Sequence, residues 1–185
     1  MITSKDRSYW FGASEASVIT GNYNSATFKK WWLEKLDLRR NTFENKAMKT
    51  GTVFEHKILD TIPDVKKDRQ ILIPELQLRV NLDGETDIIY EVKTHRIENE
   101  YKVPKAHYEQ VQVQMFATGK GAEILSYGLT ENDYKNYFIE IDKDRIRHHR
   151  IQIDNEYIER FLKDLEYLRK CYELGVMPER EKNGK

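Results

Sequence analysis

Residues 71–93, reading ILIPELQLRVNLDGETDIIYEVK, constrain the fold more than any other stretch of the chain. Two apolar runs, 71–73 and 76–80, lead into Asp83-Gly84, a dipeptide suited to a tight turn, and the β-rich run 88–93 leads out. The pattern predicts a hairpin. On the outgoing strand alternate side chains share a face, which groups Ile89, Glu91 and Lys93 on one side and Ile88, Tyr90 and Val92 on the other. At a rise of about 3.3 Å per residue, Glu91 and Lys93 stand roughly 6–7 Å apart, beside Asp83. Asp83 and Glu91 can hold a hard divalent cation through oxygen, and Lys93 can orient a water or steady the charge that builds on a phosphate. A same-face ion pair on a solvated sheet accounts for these residues equally well. The strand alone therefore leaves its chemistry open.

The rest of the chain narrows it. A length of 185 residues fits one domain, 1–185, with a charged tail over about 177–185. Lys+Arg and Asp+Glu both total 31, so there is no overall basic footprint and any DNA contact has to be local. The single Cys171 excludes a disulfide within one chain and any cysteine-ligated cluster, which points to an intracellular protein. Nothing in MITSKDRSYWFG reads as a signal peptide, and no run approaches the ~20 apolar residues of a membrane span.

Taken in order, Ser14 starts a short helix that Gly21 closes, and both Ser14 and Arg7 are candidates to receive a phosphate. Residues 27–38 form a core helix around Phe28, Trp31 and Trp32. A second helix, about 43–60, shows Ala47, Met48, Gly51, Phe54, Ile58 and Leu59 on its apolar face, with Gly51 admitting the close approach of another backbone and Glu55 along the same seam. Residues 65–69 read as a charged link and 95–104 as a loop. Lys105–Thr118 fits a helix stopped by Gly119, with His107, Gln110 and Gln114 in a polar line, although QVQVQ also alternates like a strand. Strands are predicted at 122–129, 136–142 and 145–154. The basic group of Arg145, Arg147, His148, His149 and Arg150 is either a charge-guarded edge or a phosphate-tracking patch. Asn155–Leu174 is an amphipathic helix capped by Asp154 or Asn155 and ended by Gly175.

Five pieces occur here in a fixed order: Arg7 before Gly12-Ala13-Ser14-Glu15, NKAMKTGTVFE ending in Glu55, LDG with Asp83, EVK with Glu91 and Lys93, and YEQVQVQM with Gln110. In this the chain resembles the lambda exonuclease-like, YqaJ-type viral recombinase branch of the PD-(D/E)XK nucleases. The resemblance implies an α/β (α+β-like) domain, a mixed central sheet flanked by helices with a restriction-endonuclease-like core. It implies that Glu55, Asp83 and Glu91 bind Mg²⁺, two ions with Mn²⁺ able to substitute. It also implies that Lys93 positions or activates water, Gln110 supports the site, and Arg7 and Ser14 take a DNA phosphate. In place of the usual proline stands Leu82, and Asp87 competes with Asp83 as the first acid. The activity implied is exonuclease action on double-stranded DNA ends, 5′ to 3′, in phage-type recombination in the cytoplasm of a bacterial host. A single-strand annealing protein and a homo-oligomer, a trimer, are the partners implied. An endonuclease or single-strand nuclease on the same core, or a DNA-binding module without chemistry, are the alternatives.

Overall fold

The computed structural model describes residues 8–39 and 46–179. Arg7, the start of the helix expected over about 43–60, and the side chains of Ala47 and Met48 lie outside the described residues. The elements run β1 (Phe11–Gly12), a 3-10 turn at Ala13–Glu15, α1 (Ala16–Ile19), α2 (Ala26–Lys35) and α3 (Lys46–Leu59). They continue as β2 (Lys66–Ile73), β3 (Leu78–Glu85), β4 (Ile89–Arg96), α4 (Lys105–Thr118), β5 (Ala122–Leu129), α5 (Glu131–Lys135), β6 (Ile146–Ile151) and α6 (Asn155–Leu174).

Among the described residues the six strands form one mixed sheet in the order β1-β3-β4-β5-β6, with β2 paired on β3. Strands β2, β3 and β4 are antiparallel neighbours, β4 and β5 run parallel, and β6 returns antiparallel to β5. The parallel pair needs a crossover, and α4 supplies it. The expected mixed sheet flanked by helices is therefore present.

Alternation along β4 decides what each face packs against. Ile89 joins Val80, Leu82 and Ile124 under α1, α2, α4 and α6, where Phe28, Trp32, Val111, Phe161 and Leu165 complete the larger core. Val92 joins Leu125, Tyr127 and Leu129 under Phe54, Ile58 and Leu59 of α3. Each such side chain contributes about 1.5–3 kcal/mol on burial, so exchanging the faces of β4 by a one-residue slip would forfeit both cores. Ser25 Oγ caps α2 by accepting from the Phe28 N–H (3.1 Å), and, as the sequence predicts, Asp154 Oδ1 accepts from Tyr157 N–H (2.9 Å) and Gly119 and Gly175 end α4 and α6 at positive φ.

Several expectations are corrected. Asp83-Gly84 is not the turn; β3 runs through it, and the chain reverses at residues 86–88. Gly84 is needed for space, since a Cβ there would lie 2.6 Å from Leu59 Cδ2 and 3.0 Å from Val65 Cγ2. At Gly51 the close neighbour is the Thr94 hydroxyl, 3.3 Å from a Cβ placed there, rather than another backbone. The charged link at 65–69 is largely strand β2, whose polar side chains face solvent. Residues 136–142 do not form a strand. There Tyr137 and Ile141 pack beside α3, the carbonyls of Tyr137 and Ile139 accept from Lys57 Nζ, and Phe138 is 94% exposed. The tail is held as far as it is described, with Tyr167 Oη donating to Glu179 O (2.8 Å) and accepting from Glu179 N–H (3.0 Å).

Candidate active site

Strands β3 and β4 pair only at Gly84↔Tyr90 and Glu85↔Ile89. Continued in that register, Leu82 would face Val92 and the ladder would close. Instead the Asp83 carboxylate accepts the Val92 N–H (2.8 Å), and the Gln114 side-chain amide of α4 donates to Asn81 O (3.0 Å). Side chains thus satisfy main-chain groups that a sheet would pair with each other, and the parting of the strands makes room for the site.

Glu91 occupies that opening, only 2% exposed. Its Oε1 accepts from Lys93 Nζ (2.6 Å) and Gln110 Nε2 (2.7 Å), and its Oε2 from Gln114 Nε2 (2.5 Å). Gln110 Oε1 lies 3.4 Å from Lys93 Nζ, so the glutamine bridges acid and base. Glu91 and Lys93 share the face that alternation assigns them. Burial, followed by the charges of Glu91 and Glu55, pushes the Asp83 carboxyl well above the usual range. Burial and the charge of Glu91 also raise Glu55, which α3 brings in from the side. Burial alone would lower Lys93, but Glu91 outweighs it and holds the ammonium above its ordinary value.

Three carboxylates thus converge on one ammonium. Such a set is short of positive charge, and its oxygen donors suit a hard divalent ion. The electrostatics fit one: a cation among Glu55, Asp83 and Glu91 would relieve the repulsion that raises the first two. Asp87, the rival for the first acid, sits exposed on the turn.

Four contributors escaped the sequence reading. Its place on the polar line gives Gln114 no role of its own, yet it holds both Glu91 and the parted strand. His56 and Asp68 join Glu55 in a group whose ligand atoms lie within 4.8 Å of one another. Asp68 arrives there because β2 pairs Lys67↔Gly84 and Arg69↔Leu82, which sets it beside Asp83 in a left-handed conformation, φ 58°. Tyr101, from the loop after β4, donates to or accepts from His107 Nδ1 (2.8 Å) at the margin of the site. Only the i, i+4 spacing of Gln110 and Gln114 offered a signal beforehand.

Of the remaining candidates, Arg7 lies outside the described residues. Ser14 is exposed on the 3-10 turn, and its neighbour Glu15 is tied to Gly12 N–H (2.7 Å), Trp31 Nε1 (3.0 Å) and Lys35 Nζ (2.8 Å). Arg145 belongs to the fold: it pairs with buried Asp133 (2.7 Å) and lies over the Tyr127 ring. His148 pairs with Glu123 (2.9 Å).

No protein-family model matches the chain, and no curated protein matches it in sequence. Solved structures do. An alkaline exonuclease, LHK-Exo from Laribacter hongkongensis, superposes with a TM-score of 0.70 at 20% identity, over 91% of this chain and 90% of that one. The same enzyme in complex with dAMP gives 0.71 at 19%, over 92% and 91%. A phage-related exonuclease from Haemophilus somnus gives 0.64 at 20%, over 91% and 96%. The chain shares the fold of these exonucleases over nearly its whole length. Among the described residues no helix is long and apolar enough to cross a membrane.

Proposed function

We propose that the chain is a single-domain, divalent-metal-dependent deoxyribonuclease of the lambda exonuclease-like, YqaJ-type family, which shortens duplex DNA from its ends. The observation that carries this is the buried Glu91–Lys93 pair in the gap between β3 and β4, with Asp83 and Glu55 closing on it, in a fold that known exonucleases share.

Glu55, Asp83 and Glu91 would hold Mg²⁺, or Mn²⁺ in its place. Two ions at such a site lower the pKa of water and steady the leaving oxygen of an in-line displacement. The chain's own residues prepare the rest. Gln110 and Gln114 fix both oxygens of Glu91: Oε1 accepts two hydrogen bonds, one of them from Lys93, and Oε2 accepts one, so Oε2 keeps a lone pair for a further partner. Lys93 stays protonated against Glu91, so it acts as a donor that orients water and offsets negative charge on the phosphate. The Val92 N–H fixes the orientation of the Asp83 carboxylate. Ser14, with Arg7, takes a phosphate of the DNA.

A 5′ to 3′ direction leaves a 3′ overhang for a single-strand annealing partner in phage-type recombination, in the cytoplasm of a bacterial host. A trimer is the assembly that goes with it. LHK-Exo forms a complex with dAMP, and a mononucleotide is what an exonuclease of this kind releases. The test is digestion of linear duplex DNA against the same DNA as a closed circle, with and without Mg²⁺, using wild type and Glu91→Ala. Loss of the linear form alone, dependent on metal and Glu91, supports the reading, and end-labelling then gives direction. Cutting of the circle would make it an endonuclease, and cutting of neither would remove the chemistry.

A further inference from the structure

Beyond the carboxylates, the same sheet face continues into a cavity of about 480 Å³. The register places it one strand away from the candidate chemistry. Lys93 on β4 pairs with Ser126 on β5, which pairs with Arg147 on β6, and the adjacent row runs Glu91, Ile124, His149. Strands lie about 4.8 Å apart, so Ser126 and Arg147 stand roughly 5 and 10 Å from the catalytic row. The step from one nucleotide to the next is of that size.

The cavity wall is aromatic. The Tyr101 ring lies 5.5 Å from that of His95 and 5.1 Å from that of His149, centroid to centroid. Two hydrogen bonds hold the wall in place, Tyr101 Oη with His107 Nδ1 (2.8 Å) and His149 Nε2 with Ser126 Oγ (2.8 Å). Burial, and then the neighbouring His148, keeps the His149 imidazole below its usual value and uncharged at neutral pH. At the rim, Arg147 Nη1 donates only to the main-chain oxygens of Asp144 (2.6 Å) and Ile146 (3.4 Å), and no carboxylate pairs with it among the described residues. The one nearby acid of the lining, Glu100, is paired with Lys102 (3.2 Å).

Aromatic rings beside a guanidinium that no carboxylate neutralises are the elements by which proteins hold unpaired nucleotides without regard to sequence. The volume falls within the range of about 300–1,000 Å³ typical of small-molecule sites. We propose that this cavity is a nucleotide subsite: the wall of Tyr101, His95 and His149 stacks the base of one unpaired nucleotide of the strand being cut, and Arg147 meets its phosphate. The subsite rests on the nuclease reading for its substrate. It adds which side chains of this chain hold a base and a phosphate beside the candidate chemistry.

The test scans the fluorescent base 2-aminopurine along a short single strand bound to the protein without divalent metal, so that nothing is cut. Stacking predicts quenching at one position only, in wild type and in Glu91→Gln alike. Tyr101→Ala and His149→Ala remove the quenching and weaken binding, by about tenfold to a hundredfold for Tyr101. His149 is partly exposed, so its variant tests the wall where loss of Tyr101 disturbs the loop. Uniform fluorescence at every position, or quenching that survives both variants, overturns the subsite. Cleavage by wild type without position-specific quenching refutes the subsite alone. Quenching at one position in a protein that never cuts refutes the nuclease reading alone and upholds the subsite.

Discussion

Glu85 and Glu91 stand on either side of one hairpin turn, 3% and 2% exposed, and differ in everything that surrounds them. Arg69 Nη1 donates to both oxygens of Glu85 (2.8 and 3.0 Å), and Lys120 Nζ reaches one of them (2.9 Å). Burial there is outweighed by these bonds, and the Glu85 carboxyl lies below its usual range. Asp133 is treated alike, its burial offset by Arg145 and the Thr130 cap. Around Glu91 a single lysine faces three acids, and the rise falls on Asp83 and Glu55. Buried acids that hold the fold together come with their cations in the chain. The acids in the gap between β3 and β4 leave a place for a cation from outside.

The contrast is sharpest in activity. Glu91→Gln keeps the hydrogen-bonding shape of the side chain but removes its charge, and cleavage of linear duplex should fall on the order of a thousandfold with the fold retained. Gln114→Leu releases one Glu91 oxygen and the Asn81 carbonyl, and a rate or metal-affinity loss of about 10–100-fold is expected in titrations of Mg²⁺ against cleavage. Equal rates in that variant would break the link between α4 and the site. At the other end of the hairpin the effect should fall on stability instead. Lys120→Met strips one cation from Glu85 and should cost about 1–3 kcal/mol in urea unfolding, with cleavage unchanged.

The smallest effect is in pH. For Asp83 and Glu55 the folded protein binds the proton more tightly than the unfolded chain. The stability they contribute is complete below the ordinary carboxylate value of about 4 and is lost as pH rises through their raised values. For Glu85 and Asp133 the sign is reversed: their contribution is present above the ordinary value and is lost as pH falls through the lowered ones. In chelator, wild type should therefore lose melting temperature between the carboxylate range and neutrality. Asp83→Asn should lose less, and Mg²⁺ should remove the loss from wild type. A melting temperature that climbs steadily to neutrality in chelator would show the carboxylates to be already balanced.

Much of this was readable from the chain because it rests on period and order. Alternation along β4 placed Glu91 and Lys93 on one face and Val92 on the other, and the caps of α6 fell at Asp154 and Gly175. Where tertiary contacts decide, the sequence misled. Asp83-Gly84 looks like a turn, but Gly84 is there so that Leu59 and Val65 can come close. Helix α4 was legible from its length and from Gly119, although it is buried on nearly every side, with Gln112 and Gln114 as enclosed as Val111 and Val113, and so carries no amphipathic stripe of its own. The run 136–142 alternates, but Lys57 takes its carbonyls from a strand partner. Asp68 reaches the site only through a left-handed residue in β2, which nothing local announces.

The most direct measurement is calorimetric titration of Mn²⁺ into the metal-free protein, comparing wild type, Glu85→Gln, Asp83→Asn and Glu91→Gln. Binding by wild type and Glu85→Gln, lost in both Asp83→Asn and Glu91→Gln, is the result predicted by a charge deficit confined to the gap between β3 and β4. Absence of binding in wild type, or binding that Asp83→Asn and Glu91→Gln leave intact, would contradict it.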